Sequence, residues 1–276
     1  MKKILLVFIL CLIAIGNSYA GGVDKYSKEY LQSKNHISIM KPLAEAIVKK
    51  EIKSALKKEM NTDFDVNFEG YTVSSMKKGI FKSLELSGEN AKIQELSVPY
   101  ISLKSVSDYN YIDYTKNPIK AMSDMEFAYD ILLSEETINA ALKDVDYKKV
   151  ISKVNKIAGS FFTIDGVQTK IINNQLYIIT EYGLPLAKTA KKRSFVTSCD
   201  FKVVGGKIKA QNVYIDTAYG NLGLDKVANL INYLNPLEFT LKQLEDNNTK
   251  GNIENIKIVD NKVRVDGKIF IKGGNK

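Results

Sequence analysis

The sequence predicts an α+β fold built around antiparallel β-sheet. Three observations favour it. Many short runs alternate apolar and polar residues, three pairs of such runs are joined by two-residue turns, and the helical runs stand in groups rather than between single strands. Strands that follow strands, with the helices segregated, are typical of antiparallel sheets, whereas parallel strands need a crossover connection between them.

The chain begins with a candidate signal peptide at residues 1–20. Lys2 and Lys3 provide a basic start, residues 4–15 form an uncharged apolar run, and small residues precede a cleavage position after Ala20. A stable membrane span needs about 20 apolar residues, so cleavage is favoured over the alternative of an uncleaved anchor. We therefore expect an exported protein of the periplasm or of the extracellular face of the cell envelope.

After the signal peptide we expect a polar segment at residues 21–39 and a single domain at residues 40–276, because no linker-like stretch interrupts the latter. A formal net charge of +9 suits anionic lipid headgroups, wall polymers or nucleic acid, and export makes nucleic acid an unexpected partner. Cleavage leaves Cys199 as the one cysteine. We expect no intramolecular disulfide and a buried, inert thiol.

Residues 41–60 predict a long amphipathic helix. Lysines fill one side of it, and Pro42 suits a first helical position. At a rise of about 1.5 Å per residue the helix spans roughly 30 Å. Apolar residues at spacings of three, four and one are expected to form one stripe, which contains Leu43, Ile47, Val48, Ile52, Ala55, Leu56 and Met60.

Strand-like runs follow this helix. Residues 64–68 alternate apolar and polar side chains, and residues 80–88, 91–98 and 99–107 predict three short strands broken by Gly, Asn or Pro. Residues 125–133 form a further apolar run, for which we also predict a strand.

Two short helices are predicted after the last of these runs. Ser134 is a candidate N-cap, and Glu135 and Glu136 favour the first turn of a helix. A second helix is expected over residues 147–159, ending at Gly159.

The C-terminal part predicts three β-hairpins. Their turns fall at residues 173–174, 205–206 and 260–261, where Asn, Gly and Asp tolerate the positive φ of tight hairpin turns. Between the last two hairpins, residues 222–234 predict a helix that Pro236 stops. Several strands are apolar on both faces, so we expect a helix, a partner or a ligand to shield the second face from water.

Motifs of catalysis and metal binding are missing from the sequence. His36 is the single histidine, and neither a G-x-S-x-G elbow nor a phosphate-binding loop occurs. An acidic row lacks the glycine of a calcium loop and is interpreted as a strand with one wet face: Asp63, Asp65, Asn67 and Glu69. We expect no enzymatic activity, catalytic residue, metal or cofactor. An enzyme with dispersed carboxylates, paired in a polar cleft, is an open alternative.

A basic cluster lies in the connection between two predicted strands of the C-terminal part. It consists of Lys188, Lys191, Lys192 and Arg193. Each basic residue near an anionic membrane surface contributes about 1 kcal/mol, so the cluster is a candidate contact for headgroups. A solvated loop without a ligand is the alternative.

Five stretches together resemble the LmeA-like phospholipid-binding family of exported bacterial proteins, whose fold is similar to tubular lipid-binding (TULIP-type) domains. Residues 78–86 resemble an early strand of that family, and residues 97–112 resemble the pair of short strands after it. Residues 133–139 resemble a helix start, residues 222–239 a late helix leading into a proline-containing strand, and residues 256–269 a closing hairpin.

The resemblance implies a highly curved antiparallel sheet wrapped around the long amphipathic helix, with an elongated apolar groove between them. The expected partner is a phospholipid or another acyl lipid, with an anionic membrane surface as a second partner. Exposing an acyl chain to water costs about 0.8 kcal/mol per CH₂, so a carrier needs a dry groove. Plain core packing competes with lipid contact for every expected groove residue: Leu43, Ile47, Leu56, Ile101, Ile178, Phe201, Val227, Leu230 and Leu234.

The expected function is therefore lipid binding in an exported envelope protein, with a role as a lipid carrier in envelope maintenance. The alternative is a non-catalytic envelope module that binds glycan or protein through its sheet surface. Such a module would have a filled core and no continuous apolar channel.

Overall fold

The computed structural model describes residues 26–33, 38–93, 95–113, 120–158, 162–184, 193–216, 224–244 and 250–274. Helices and antiparallel sheets make up these residues, so the predicted α+β class is confirmed. The helices are α1 (Lys28–Ser33), α2 (Met40–Met60), α3 (Val73–Met76), α4 (Glu135–Ala141), α5 (Val145–Ala158), α6 (Leu224–Leu234) and α7 (Pro236–Leu244). Within the described residues, no helix is both long and apolar enough to cross a membrane.

The strands form two sheets. They are β1 (Phe64–Gly70), β2 (Ile80–Ile93), β3 (Leu96–Ser105), β4 (Asn110–Asp113), β5 (Lys120–Ala121), β6 (Met125–Leu133), β7 (Thr163–Ile172), β8 (Gln175–Gly183), β9 (Arg193–Val204), β10 (Lys207–Asp216), β11 (Lys250–Val259) and β12 (Lys262–Ile271). The larger sheet has eight strands in the order β11-β12-β6-β3-β2-β4-β5, with β1 paired to β2, and the smaller one runs β10-β9-β8-β7.

The larger sheet has one dry face and one wet face. Its inner face carries buried alternate residues such as Leu86, Ile131 and Val265. Its outer face carries ion pairs between neighbouring strands, which join Glu85 to Lys104, Asp130 to Arg264 and Glu126 to Lys268. Because the outer face of this sheet is polar and solvated, its strands are buried on one face only.

Strands β2 and β3 correct the predicted strand boundaries. Three short strands were expected over residues 80–107, but β2 continues through Asn90 and β3 continues through Pro99. Asn90 takes a left-handed φ of 53°, and the pairing skips both Asn90 and Pro99. Proline has no N–H to donate, so the pairing of β2 with β3 is locally irregular at Pro99, but it continues on both sides of this residue.

The three predicted hairpin turns are confirmed. Both residues of each turn have positive φ, at Asn173–Asn174, Gly205–Gly206 and Asp260–Asn261. Ser134 is confirmed as the N-cap of α4, since its hydroxyl accepts a hydrogen bond from the N–H of Thr137.

Pro236 ends α6 as predicted, but it also begins a second helix. Asn235 caps α7, because its side-chain oxygen accepts from the N–H groups of Leu237 and Glu238, both at 3.2 Å. Proline at the first helical position has no N–H to lose. The proline-containing strand implied by the family resemblance is therefore wrong for this chain: helix α7 stands in its place.

Candidate functional site

Helix α2 is held along the edge strand β1 by a row of polar contacts. It runs antiparallel to the strand, so that Lys49, Lys53 and Lys57, four apart on the helix, meet residues two apart on the strand. Glu45 meets Gly70, three residues beyond Asn67, because the strand has an irregularity between Glu69 and Gly70. Four helical residues rise about 6 Å, and two strand residues rise about 6.8 Å, so the rows stay in step. The contacts are Glu45 with the N–H of Gly70 (2.9 Å), Lys49 with Asn67 (3.4 Å), Lys53 with Asp65 (3.8 Å) and Lys57 with Asp63 (2.8 Å).

This row explains the acidic residues of β1. Asp63, Asp65 and Asn67 are exposed, while Phe64 and Val66 between them are buried, which confirms the interpretation as a strand with one wet face. No cluster of metal-binding side chains occurs among the residues that the structure describes. Exposed ion pairs each contribute little to stability, so the row accompanies a rotation of α2 that buries Val48, Ile52, Leu56 and Met60.

The rotation of α2 splits its predicted apolar stripe into two faces. Val48, Ile52, Leu56 and Met60 lie against the sheet and are at most 4% exposed. Leu43 and Ile47 are 54% and 52% exposed. Because each helical residue turns by about 100°, Ile47 points well away from its neighbour Val48. The expectation of one continuous stripe is wrong.

An outer apolar patch therefore covers the first turns of α2 on the side away from the sheet. Every member is exposed: Ile39, Met40, Pro42, Leu43, Ala46 and Ile47. The members span about 12 Å along the helix axis. Lys50 and Glu51 follow in the next turn and give the patch a charged rim.

A small cavity lies under the second half of α2. A cavity of about 20 Å³ lies between this half and the sheet, bordered by Leu56, Met60, Phe64 and Ile101 among others. That volume holds about one water molecule. Leu56 and Ile101 are thus brought together as predicted, but they pack against the protein's own side chains.

The other expected groove residues lie in the second half of the chain. Ile178 on β8 is fully buried and Phe201 on β9 is partly exposed. On α6, Leu230 is half-buried and Leu234 is buried, and the hydroxyl of Tyr147 donates to the carbonyl of Leu234 (2.8 Å). Val227 lies in α6, but its side chain is outside the description.

The basic cluster is only partly within the description. Lys188, Lys191 and Lys192 lie outside the described residues, and Arg193 is the first residue of β9, where it is half-buried. Its role as a headgroup contact stays a prediction.

The inner face of the smaller sheet buries three threonines. The hydroxyl of Thr169 donates to the side chain of Asn139 (3.1 Å). Thr180 and Thr197 are fully buried, and their hydroxyls have no hydrogen-bond partner among the residues that the structure describes. An unsatisfied buried hydroxyl costs about 1–3 kcal/mol, so this face is destabilised at two points.

A second cavity, of about 170 Å³, lies at the seam between the two sheets. Its walls are Asn174, Gln175, Cys199, Asp200 and Phe201 on one side and Ile256, Lys257 and Ile258 on the other. Burial, with a smaller effect of Asp200, raises the pKa of the Cys199 thiol to about 12, which confirms the expected buried thiol. Only Phe201 of this set was expected to contact a ligand.

The chain matches no protein-family model, no curated protein and no solved structure.

Proposed function

We propose that the protein binds phospholipid in the cell envelope, with acyl chains against the outer apolar patch of α2 and without a catalytic step. The observation that carries the proposal is the exposure of this patch. Ile39 is 96% exposed, and Met40, Leu43 and Ile47 are each more than half exposed. Four large apolar side chains on one exposed helix face favour an apolar partner.

The chemistry around the patch supports a lipid partner. A helix with an apolar face and a charged rim is typical of helices that lie in a membrane interface. The formal net charge is +9 for the full sequence and +7 once Lys2 and Lys3 leave with the signal peptide, and this charge adds attraction to anionic headgroups. In this proposal Lys188, Lys191, Lys192 and Arg193 contact those headgroups.

The proposal moves acyl contact from a groove between helix and sheet to the exposed face of the helix. A cavity of about 20 Å³ under Leu56 is too small for an acyl chain, so acyl contact is proposed at Leu43 and Ile47 instead. Val227 and Leu230 lie on α6, which packs on β10 of the smaller sheet, and they take no part in the proposed contact at α2. Leu56, Ile101, Ile178 and Leu234 then serve the core.

Extraction of the native protein tests the proposal. The protein, purified without detergent from its host envelope, is extracted with organic solvent, and the extract is analysed by mass spectrometry. The proposal predicts phospholipid in a fixed molar ratio to the protein, and a mature N-terminus at Gly21 after export. An extract without lipid, together with no binding to vesicles, would contradict it and favour a module that binds glycan or protein through its sheet surface.

A further inference from the structure

A row of side chains crosses all four strands of the smaller sheet on its outer face. Strand register aligns one residue from each strand in this row: Lys170, Tyr177, Ser198 and Tyr214. Residues that lie directly opposite each other share a face of the sheet, and successive residues of a strand alternate between the faces. Ile178, the neighbour of Tyr177, is fully buried. The row therefore points away from the core.

Two tyrosines of this row, the tyrosine pair, offer apolar rings to solvent. Tyr214 is 69% exposed and Tyr177 is half-buried. They stand two strand spacings apart, about 9.6 Å, with the hydroxyl group of Ser198 between them. The face of an aromatic ring packs against the C–H groups of a sugar ring, while neighbouring hydroxyl groups can hydrogen-bond to those of the sugar. One sugar ring is narrower than this distance, so the pair fits a chain of sugars.

The tip of the β9–β10 hairpin extends this face with three lysines, the lysine tip: Lys202, Lys207 and Lys209. All three are exposed, and none forms an ion pair with a residue that the structure describes. Lys202 and Lys209 stand directly opposite each other on the two strands, and like charges in that position destabilise a sheet. Asp200, two residues before Lys202, accepts a hydrogen bond from the side chain of Asn212 (2.8 Å). An anion that binds between the two lysines relieves their repulsion.

The outer face of the larger sheet treats its lysines differently. There they pair with carboxylates of neighbouring strands: Lys82 with Glu69 (2.9 Å), Lys104 with Glu85 (3.8 Å) and Lys268 with Glu126 (3.0 Å). On the smaller sheet Lys170, beside Tyr177, is exposed and likewise has no ion pair within the described part of the chain. Glu181 lies four residues from Tyr177 on β8, towards the end away from the lysine tip. One end of the face is therefore basic, and its charge is complementary to an anionic partner.

We propose that the outer face of the smaller sheet binds an anionic glycan, a chain of sugars that carries acidic groups. The tyrosine pair contacts the sugar rings, and the lysine tip binds the acidic groups. Four residues of β9 separate Ser198 from Lys202, a distance of about 14 Å, so only a chain of several sugars reaches both parts. The site goes beyond the proposed function, because the outer apolar patch lies on α2, which packs on β1 and β2 of the larger sheet.

Binding of the full chain to fluorescein-labelled polygalacturonate, which has a carboxylate on every sugar, tests the tyrosine pair. Tyr214→Ser is expected to weaken binding about tenfold, because one ring no longer packs against a sugar. Tyr233→Ser is the matched control, since Tyr233 is 53% exposed but lies on α6. Wild-type affinity in Tyr214→Ser, or an equal loss in Tyr233→Ser, would overturn the proposal.

A double variant tests the lysine tip. Lys202→Ser with Lys209→Ser is expected to weaken binding to polygalacturonate by more than about tenfold at low salt, and by less at high salt, which screens the attraction. Lys104→Ser with Lys268→Ser removes the same charge from the larger sheet and should change binding much less. The Lys202 and Lys209 double variant should also unfold at a higher urea concentration than the wild-type protein, because two facing like charges are gone. Equal loss of binding in both double variants, or a lower unfolding midpoint, would contradict the site.

Other polymers separate sugar recognition from charge. The proposal predicts no binding to neutral dextran, and binding to polyglutamate that is weaker than binding to polygalacturonate and unaffected by Tyr214→Ser. Equal affinity for polyglutamate and polygalacturonate, or no affinity for polygalacturonate, would overturn it. Loss of binding to anionic vesicles in Tyr214→Ser, without any binding to polygalacturonate, would indicate a membrane partner instead. Leu43→Ser with Ile47→Ser should leave polygalacturonate binding unchanged, so failure of this site is distinguishable from failure of the proposed function.

Discussion

Replacing Leu43 and Ile47 together with serine should weaken binding to phospholipid vesicles about 30-fold. Full burial of a leucine or isoleucine side chain contributes about 1.5–3 kcal/mol. The two side chains are 54% and 52% exposed in the free protein, so each retains roughly half of that, about 1 kcal/mol, to gain on a lipid surface. The loss of both is about 2 kcal/mol, or roughly 30-fold in the partition constant.

Sedimentation with vesicles of phosphatidylethanolamine and phosphatidylglycerol measures this effect. Ile172→Ser is the matched control, because Ile172 is 50% exposed at a hairpin far from α2. The serine variants should keep wild-type stability to within about 0.5 kcal/mol, as expected for exposed positions. The loss of binding should persist in 0.5 M salt, a condition that screens headgroup attraction but not apolar contact (Debye length about 3 Å at 1 M).

Binding of the double serine variant within twofold of the wild-type protein would refute this reasoning. An equal loss in Ile172→Ser would refute it as well, because the effect would then reflect general surface hydrophobicity and not the outer apolar patch.

Three further predictions concern other parts of the molecule. Thr180→Val should stabilise the protein by about 1 kcal/mol in urea unfolding, because it removes an unsatisfied buried hydroxyl at constant shape; destabilisation would mean that the hydroxyl has a partner. Cys199 should resist alkylation at pH 8 until the protein is unfolded, since burial holds its pKa near 12; the stability that this shift contributes is present below the ordinary thiol pKa and is lost as the pH rises towards 12. Replacing Lys191 and Lys192 with serine should weaken binding to anionic vesicles by about 2 kcal/mol at low salt, with no change on neutral vesicles; equal binding to both would remove the headgroup assignment.

The sequence predicted the elements that local chemistry decides. Hairpin turns at Asn173–Asn174 and Asp260–Asn261 follow from the residues that tolerate positive φ. The start of α4 follows from the capping chemistry of Ser134. These signals act over a few residues, so no knowledge of the tertiary structure was needed.

The wrong predictions concern features that tertiary contacts determine. The rotation of α2 buries Val48, Ile52, Leu56 and Met60 against the sheet, and the spacing of its apolar residues alone did not show which of two faces would be buried. The helical period separates the two faces: Val48 and Ile52 are four residues apart and share one face, whereas Ile47 lies about 100° around the helix from Val48. For α7, the series Asn235-Pro236 followed by Glu238 already carries an N-cap and a first-turn proline and acid.

The seam cavity had no sequence signal. Two of its walls come from β9 and β11, whose residues are more than 50 positions apart, and only the packing of one sheet beside the other brings them together. Asn174 and Asn261, whose backbone N–H groups each donate to the other's side-chain oxygen, are likewise 87 positions apart. Turn propensity explains why asparagine suits both turns, but it does not predict these hydrogen bonds between them.

Depth measurement at residue 47 tests the central claim most directly. The buried thiol of Cys199 allows selective labelling of a new cysteine, so Ile47→Cys and Ile172→Cys can each carry one environment-sensitive fluorophore. On vesicles that contain brominated acyl chains, the account predicts strong quenching of the label at position 47 and little quenching at position 172. Equal quenching at the two positions, or none at position 47 while the protein is bound, would contradict the contact between α2 and lipid.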